Sequence, residues 1–259
     1  MDQLRVSGAV RPRTRFSAFN KAWNSVGVFL GVLCTVWIIG PVLLIGIFTA
    51  RFLGLLHIQG YSSEKFRTKN GEGLLVIHRH PSMRETLIIP VLFLSQCIFH
   101  FSRVPLITPD KRNIYGQIIR RMPLRVISIF IDRGNFMGQG RALLKIRKAL
   151  AEGRSVVLAP EGGRTWKGKE FKTITAKGEI LIFRPEGAVD LSKPVIRRFQ
   201  EGVRKVVAPN VAVLPIWVKS KGWRTTIKIG YPFGISKSVP ACEIPELLED
   251  SMLQLAAEE

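Results

Sequence analysis

Residues 24–50 hold no charged side chain, and apolar residues fill them without a polar stripe. About 20 apolar residues suffice for one helix to cross the hydrocarbon core of a bilayer, so the run is long enough. It lies too far from the N-terminus, and runs too long, for a simple cleaved signal sequence. Gly40-Pro41 falls near its middle, where a proline ends or kinks a helix. Arg5, Arg11, Arg13, Arg15 and Lys21 precede it and Arg51 follows it. Positive charge marks the cytoplasmic side of a membrane, and here it stands at both ends. These facts predict a helical hairpin, two short helices that dip into one leaflet and return. A single crossing is the alternative. A buried core helix fits less well, because such a helix carries polar positions along one face.

Beyond residue 55 the pattern alternates. Leu74 to Ile77 is a short apolar run after Gly71 and Gly73 and predicts a strand over 74–77. Residues 87–101 are apolar with Pro90 inside, too short for a span, and predict a buried helix. Ile and Val dominate 125–131, which predicts a strand. Leu143, Ile146 and Leu150 recur at helical spacing, predicting a helix over 142–150 that Gly153 closes. Strands are expected at 155–159, 211–218 and 225–229. An amphipathic closing helix carries Ile244, Leu247, Leu248, Met252 and Leu255. Strand–helix alternation implies an α/β fold, a sheet with helices on its faces. Two parts follow: residues 1–55, basic and then apolar, and residues 56–259, one globular domain.

Charge narrows the partners. Lysine and arginine number 39 against 19 acids, a formal net charge of +20. Such a surface favours nucleic acid, an anionic membrane face or phosphorylated substrates. The basic residues are spread along the chain, and aromatic residues do not alternate with them as stacking platforms, which argues against nucleic acid. Cys34, Cys97 and Cys242 show no paired spacing. They read as reduced packing residues rather than disulfide partners or zinc ligands, and no metal site is expected.

Chemistry is concentrated in three places. His80-Pro81-Ser82-Met83-Arg84-Glu85 follows a predicted strand and precedes a predicted helix. A carboxylate five positions after a histidine can hold one ring nitrogen and leave the other free to accept a proton. The same spacing also occurs in surface ion pairs. The strand at 155–159 runs into Pro160-Glu161-Gly162-Gly163-Arg164-Thr165. There, backbone N–H groups can face an anion and Arg164 offers a planar fork for phosphate. Ile129-Phe130-Ile131-Asp132-Arg133 ends another predicted strand with a second arginine. Ligands collect at the carboxyl ends of parallel strands, and all three segments lie at such ends.

The order of these blocks resembles the glycerolipid (PlsC-like) acyltransferase family. That family has a histidine–four residues–aspartate box, a block ending Phe-Ile-Asp-Arg, then Phe-Pro-Glu-Gly-Thr-Arg, then a Val-Pro block. This chain supplies His80 to Glu85, Phe130 to Arg133, Pro160 to Arg164, and Val213-Leu214-Pro215-Ile216. Phe199-Gln200-Glu201-Gly202 resembles the Phe-Lys-x-Gly element found between the last two. The likeness covers about residues 70–220. Three departures stand out. Glu85 replaces the aspartate, Arg79 stands where asparagine is common, and Gly163 replaces threonine. Residues 168–197 look inserted, and predict a basic surface hairpin or, alternatively, a part in acceptor choice.

The resemblance implies a mixed central sheet flanked by helices, with residues 56–259 as the catalytic domain. It implies that His80 acts as base and Glu85 orients it. Arg133, Glu161, Gly162, Gly163 and Arg164 would hold the acceptor phosphate. The reaction it implies moves a fatty acyl group from acyl-CoA or acyl carrier protein to lysophosphatidic acid, giving phosphatidic acid without a cofactor. The implied setting is the cytoplasmic face of a membrane, the inner membrane if the source is bacterial, with anionic lipids as partners. Another lysolipid, a lysophospholipid or an amino-acid lipid, is the alternative acceptor. His78 lacks an acid at the right offset, and His57 and His100 read as structural.

Two other classes remain for comparison. Residues 163–169 nearly spell a nucleotide-binding P-loop, but Glu170 takes the place of the magnesium-binding hydroxyl. Residues 171–175 also read as a strand and not the helix a P-loop opens. A non-enzymatic basic membrane binder would fit the charge and would tolerate loss of His80.

Overall fold

The computed structural model describes residues 26–67, 71–82, 84–97, 104–112, 117, 119, 123–175, 177–208 and 210–258. His100, the end of the predicted 87–101 helix and the basic residues before Val26 lie outside them.

The apolar run forms one continuous helix, α1, Val26–Phe52, with a mean hydropathy of 2.6 over its most apolar window. At 1.5 Å per residue it is about 40 Å long. The predicted hairpin at Gly40-Pro41 is therefore corrected. The turn Thr35–Ile39 widens to π geometry, and the Gly40 N–H reaches back to the Thr35 carbonyl. Pro41 has no N–H to give and would crowd a tight preceding turn. The wider turn absorbs it and the helix continues. Val36 and Ile47 are buried, whereas Val42, Ile45, Phe48 and Phe52 face outward.

The body is built on a seven-stranded sheet. Its strands are β1 (Leu56–Gln59), β2 (Gly73–His78), β3 (Leu106–Ile107), β4 (Ser155–Leu158), β8 (Val211–Lys221), β9 (Arg224–Ile229) and β10 (Phe233–Gly234). The order is β1-β9-β8-β2-β4-β3, with β10 beside β8. β2 runs parallel to both β4 and β8, while β8 and β9 form an antiparallel hairpin. The sheet is mixed, as expected. Every residue of β2 is buried, which suits a central strand covered on both faces. Helix α2 (Glu85–Val91) follows β2, α3 (Phe136–Ala151) precedes β4, and α4 (Ile244–Ala257) closes the chain. Gly73 lets α3 approach closely, since a Cβ there would overlap the Leu150 carbonyl.

Residues 125–131 are not a strand. Pro123–Ile127 is a 3₁₀ turn, and only two isolated parallel bridges follow, Ile107 with Ser128 and Asp110 with Ile131. The inserted segment forms its own antiparallel sheet from β5 (Phe171–Ile174), β6 (Ile180–Phe183) and β7 (Val195–Arg197), in the order β6-β5-β7. The expected hairpin is β5–β6, and β7 adds a third strand. Cys97 is buried, but Cys242 is exposed, so it is not a packing residue.

Candidate active site

The parallel register of β2 and β4 pairs Ile77 with Leu158. The chains leaving these strands, His78-Arg79-His80 and Ala159-Pro160-Glu161, therefore emerge side by side. The Thr165 N–H donates to the His80 carbonyl at 2.9 Å and ties the two segments together. β3 lies on the far side of β4, and the Asp110–Ile131 bridge brings Asp132-Arg133 to the same edge. All three sequence blocks thus meet at the carboxyl end of the parallel strands, where helix and strand termini leave room for ligands.

A residue before proline favours extended backbone, and His80 precedes Pro81. Ser82 then leads into α2 through a hydrogen-bonded turn. Its hydroxyl accepts from the Arg84 N–H at 3.2 Å, while the Glu85 Oε1 accepts from the Ser82 N–H at 3.1 Å. The Ser82 hydroxyl donates to Glu85 Oε2 at 2.6 Å. Glu85 is fully buried, and its Oε1 lies 2.7 Å from His80 Nδ1. A carboxylate only accepts, so Nδ1 carries the hydrogen and Nε2 keeps its lone pair. Burial alone would push the Glu85 carboxyl up. The bonds from His80 and Ser82 and the nearby imidazoles outweigh it and hold the group below its ordinary range.

His80 opens on a cavity of about 540 Å³. Arg133, Gly163, Arg164 and Lys167 line it with His78, Thr86 and Asp110. Arg164 and Lys167 both stand over the Trp166 ring, at 4.9 and 5.1 Å from its centroid. Asp110 faces Arg133, 3.4 Å from its Nε. Partial burial lowers the Arg133 pKa, Asp110 raises it, and the Arg197 charge lowers it again. Asp132 turns outward and pairs with Lys111 at 3.1 Å and Arg112 at 3.0 Å.

Of the residues singled out from sequence, His80, Arg133, Gly163 and Arg164 line the cavity and Glu85 sits directly behind His80. Glu161 and Gly162 do not line it. Glu161 is fully buried and accepts from the Thr165 hydroxyl at 2.6 Å. It does not line the cavity, so the structure does not bring it to the expected phosphate set, and its bond to Thr165 supports the loop instead. Burial pushes its pKa up to about 7, against the Thr165 bond and the Arg79 and Arg197 charges. Gly162 has φ 67° and abuts the Gln200 side chain, so it turns the loop and lines a neighbouring groove. His78 is buried, its Nδ1 3.0 Å from the Arg79 carbonyl. Burial, and then the His80 charge, lower its pKa to about 4, which leaves it neutral. His57 is exposed on β1.

Sequence spacing did not reveal Arg79 as a buried cation. It is fully buried, donates to the Val218 carbonyl at 3.1 Å and the Leu191 carbonyl at 3.3 Å, and stacks 4.6 Å from the Trp217 ring centre. Burial lowers its pKa to about 10, against the Glu161 and Glu85 charges. Its departure from asparagine was the one signal in the sequence.

A histidine oriented by a carboxylate beside a basic cavity wall, on an α/β sheet, suits chemistry that needs a general base. Residues 57–219 match the profile of the family described as Acyltransferase. The match covers most of the chain, which belongs to the acyltransferase family, and the protein is an acyltransferase. It is similar to the crystal structure of the 1-acyl-sn-glycerophosphate (LPA) acyltransferase PlsC from Thermotoga maritima. Identity there is 15%, with 91% of this chain and 95% of that chain covered and a TM-score of 0.45. Membership rests on the family match, not on that likeness. No curated protein matches the chain.

Proposed function

We propose that the chain transfers a fatty acyl group from acyl-CoA or acyl carrier protein to the free hydroxyl of lysophosphatidic acid, giving phosphatidic acid. The observation that carries this reading is the oriented His80–Glu85 pair, 2.7 Å apart, opening on a cavity walled by Arg133, Arg164 and Lys167. His80 Nε2 takes the acceptor hydroxyl proton as the oxygen attacks the thioester carbonyl. The tetrahedral intermediate collapses, the C–S bond breaks, and the imidazolium returns the proton to the leaving thiolate. Glu85 stabilises that imidazolium and fixes the ring tautomer. The arginines hold the acceptor phosphate and so place its hydroxyl. Neither a cofactor nor a metal has a part in these steps. Within residues 1–55, α1 anchors the enzyme, and the net charge of +20 draws it to the anionic, cytoplasmic leaflet where the acceptor resides.

The test compares membranes carrying wild type or His80→Ala, with labelled acyl-CoA or acyl carrier protein as donor. Lysophosphatidic acid is offered first and other lysolipids after it. Transfer to lysophosphatidic acid that vanishes in His80→Ala supports the reading. Transfer only to a different lysolipid replaces the acceptor. Equal background in both proteins with every acceptor sinks the proposed reaction.

A further inference from the structure

The inserted sheet brings the Arg197 side chain to the edge of the site. Arg197 ends β7, paired with Phe171 of β5. Its stem crosses Gly168, where a Cβ would lie 2.8 Å from Arg197 Cγ and 3.0 Å from Cδ. Its guanidinium stops beside Gly163, a residue of the cavity wall. A Cβ placed on Gly163 would lie 2.9 Å from Arg197 Nη1 and 3.4 Å from Arg133 Nη1. Two guanidinium groups thus converge on one point at the edge of the cavity. Asp110 offsets only Arg133. Glu161, whose charge would be the next to help, is buried with its pKa pushed up to about 7. Like charges held together without a shared counter-ion form a site for an external anion.

The geometry points to Arg197 as a third ligand of the acceptor phosphate, selecting a doubly charged phosphate monoester over a singly charged phosphodiester headgroup. This rests on the acceptor reading given above. Threonine, the residue of the family motif at position 163, would put its Cβ against the Arg197 guanidinium and displace it. Glycine at 163 and arginine at 197 therefore form one device. A phosphate monoester loses its second charge with a pKa of about 6. A site with one extra fork binds the dianion better than the monoanion, because each charge-assisted bond strengthens with the acceptor's charge.

Steady-state kinetics in mixed micelles test this, with lysophosphatidic acid as the monoester and lysophosphatidylglycerol as the diester. Arg197→Gln is expected to raise KM for the monoester roughly 10–100-fold, with kcat nearly unchanged and the diester KM unaffected. The wild-type advantage should shrink between about pH 7 and 5.5 as the dianion is lost. Gly163→Thr should reproduce the defect, and adding it to Arg197→Gln should change nothing further. Arg197→Lys keeps the charge without the fork and serves if Arg197→Gln does not fold; a KM between those of wild type and Gly163→Thr is then expected. A monoester KM unchanged in all three variants, or monoester and diester KM raised equally, overturns the proposal. If wild type acylates neither acceptor, the acceptor reading itself falls and takes this inference with it.

Discussion

The Glu85 carboxylate serves the histidine and the helix at once, accepting from His80 Nδ1 and from both the amide and hydroxyl of Ser82. Glu85→Gln keeps the shape but brings an amide that can donate, which lets the imidazole take the wrong tautomer. A fall in kcat of about 10²–10⁴-fold is expected, measured as acyl transfer at fixed protein stability. Ser82→Ala removes the hydroxyl bonds to buried Glu85 and to the Arg84 N–H and should cost about 1 kcal/mol of stability, readable by urea unfolding. Glu161 supplies a pH signature of opposite sign to the paired carboxylates. Its folded pKa of about 7 lies above the usual carboxylate value near 4.3. Its protonated form is therefore favoured by folding. The stability it contributes is complete below about pH 4.3 and is lost as pH rises through 7. Glu85, held low, contributes stability that is lost only as pH falls below the ordinary carboxylate range. Subtracting the Tm–pH curve of Glu161→Gln from that of wild type should leave a slope confined to pH 4–7; a flat difference would refute the assignment. His80, Glu85, Arg133 and Arg164 were legible because each motif is local, the first two following β2 and Arg164 following β4, while Arg133 follows an isolated bridge beside β3. Arg79 and Arg197 were not, because their neighbours come from β8, β4 and the inserted sheet, and no spacing along the chain encodes that meeting.

At the level of elements, the inserted sheet is fastened to α4 through one buried lysine. Lys172 on β5 is 2% exposed and lies 2.5 Å from Asp250, 3.3 Å from Glu246 and 3.7 Å from Glu249. Glu249 also accepts from Arg198 and the Phe199 N–H. Lys172→Met would leave buried Glu249 short of a cation, and breaking such a pair costs about 3–5 kcal/mol. Denaturant unfolding should show that loss; a change under 1 kcal/mol would mean that Arg198 alone neutralises the carboxylate. Continuous apolar runs announced β2, β4 and β8 because these strands are covered on both faces. The same Ile/Val enrichment misled at 125–131, since strand propensity measures fit to a half-buried surface and not whether a partner edge exists. β3 offers only Leu106-Ile107 as that edge. The apolar composition of α1 was legible, but its continuity was not, because the π turn that accommodates Pro41 is a local choice that hydropathy does not register.

At the scale of the whole molecule, the proposed membrane attachment would rest on two forces, and salt separates them. The +20 charge acts through the aqueous phase and is screened within about 3 Å at 1 M ionic strength. The apolar surface of α1 acts by burial in hydrocarbon, which such salt does not weaken. Among the described residues, its outward Val42, Ile45, Phe48 and Phe52 are exposed, while its inner face packs near α2, with Leu43, Ile47, Leu87 and Ile88 lining one groove. Because α2 begins at Glu85, the apolar helix α1 stands against the helix that carries the carboxylate beside His80. Membranes washed in 1 M salt should therefore retain the protein, and detergent should release it. On vesicles of mixed lipid, raising salt should increase the apparent KM for acceptor without dissociating the enzyme, since each basic residue near an anionic surface contributes about 1 kcal/mol. Release by salt alone would mean that α1 is not buried in lipid and that charge does all the holding.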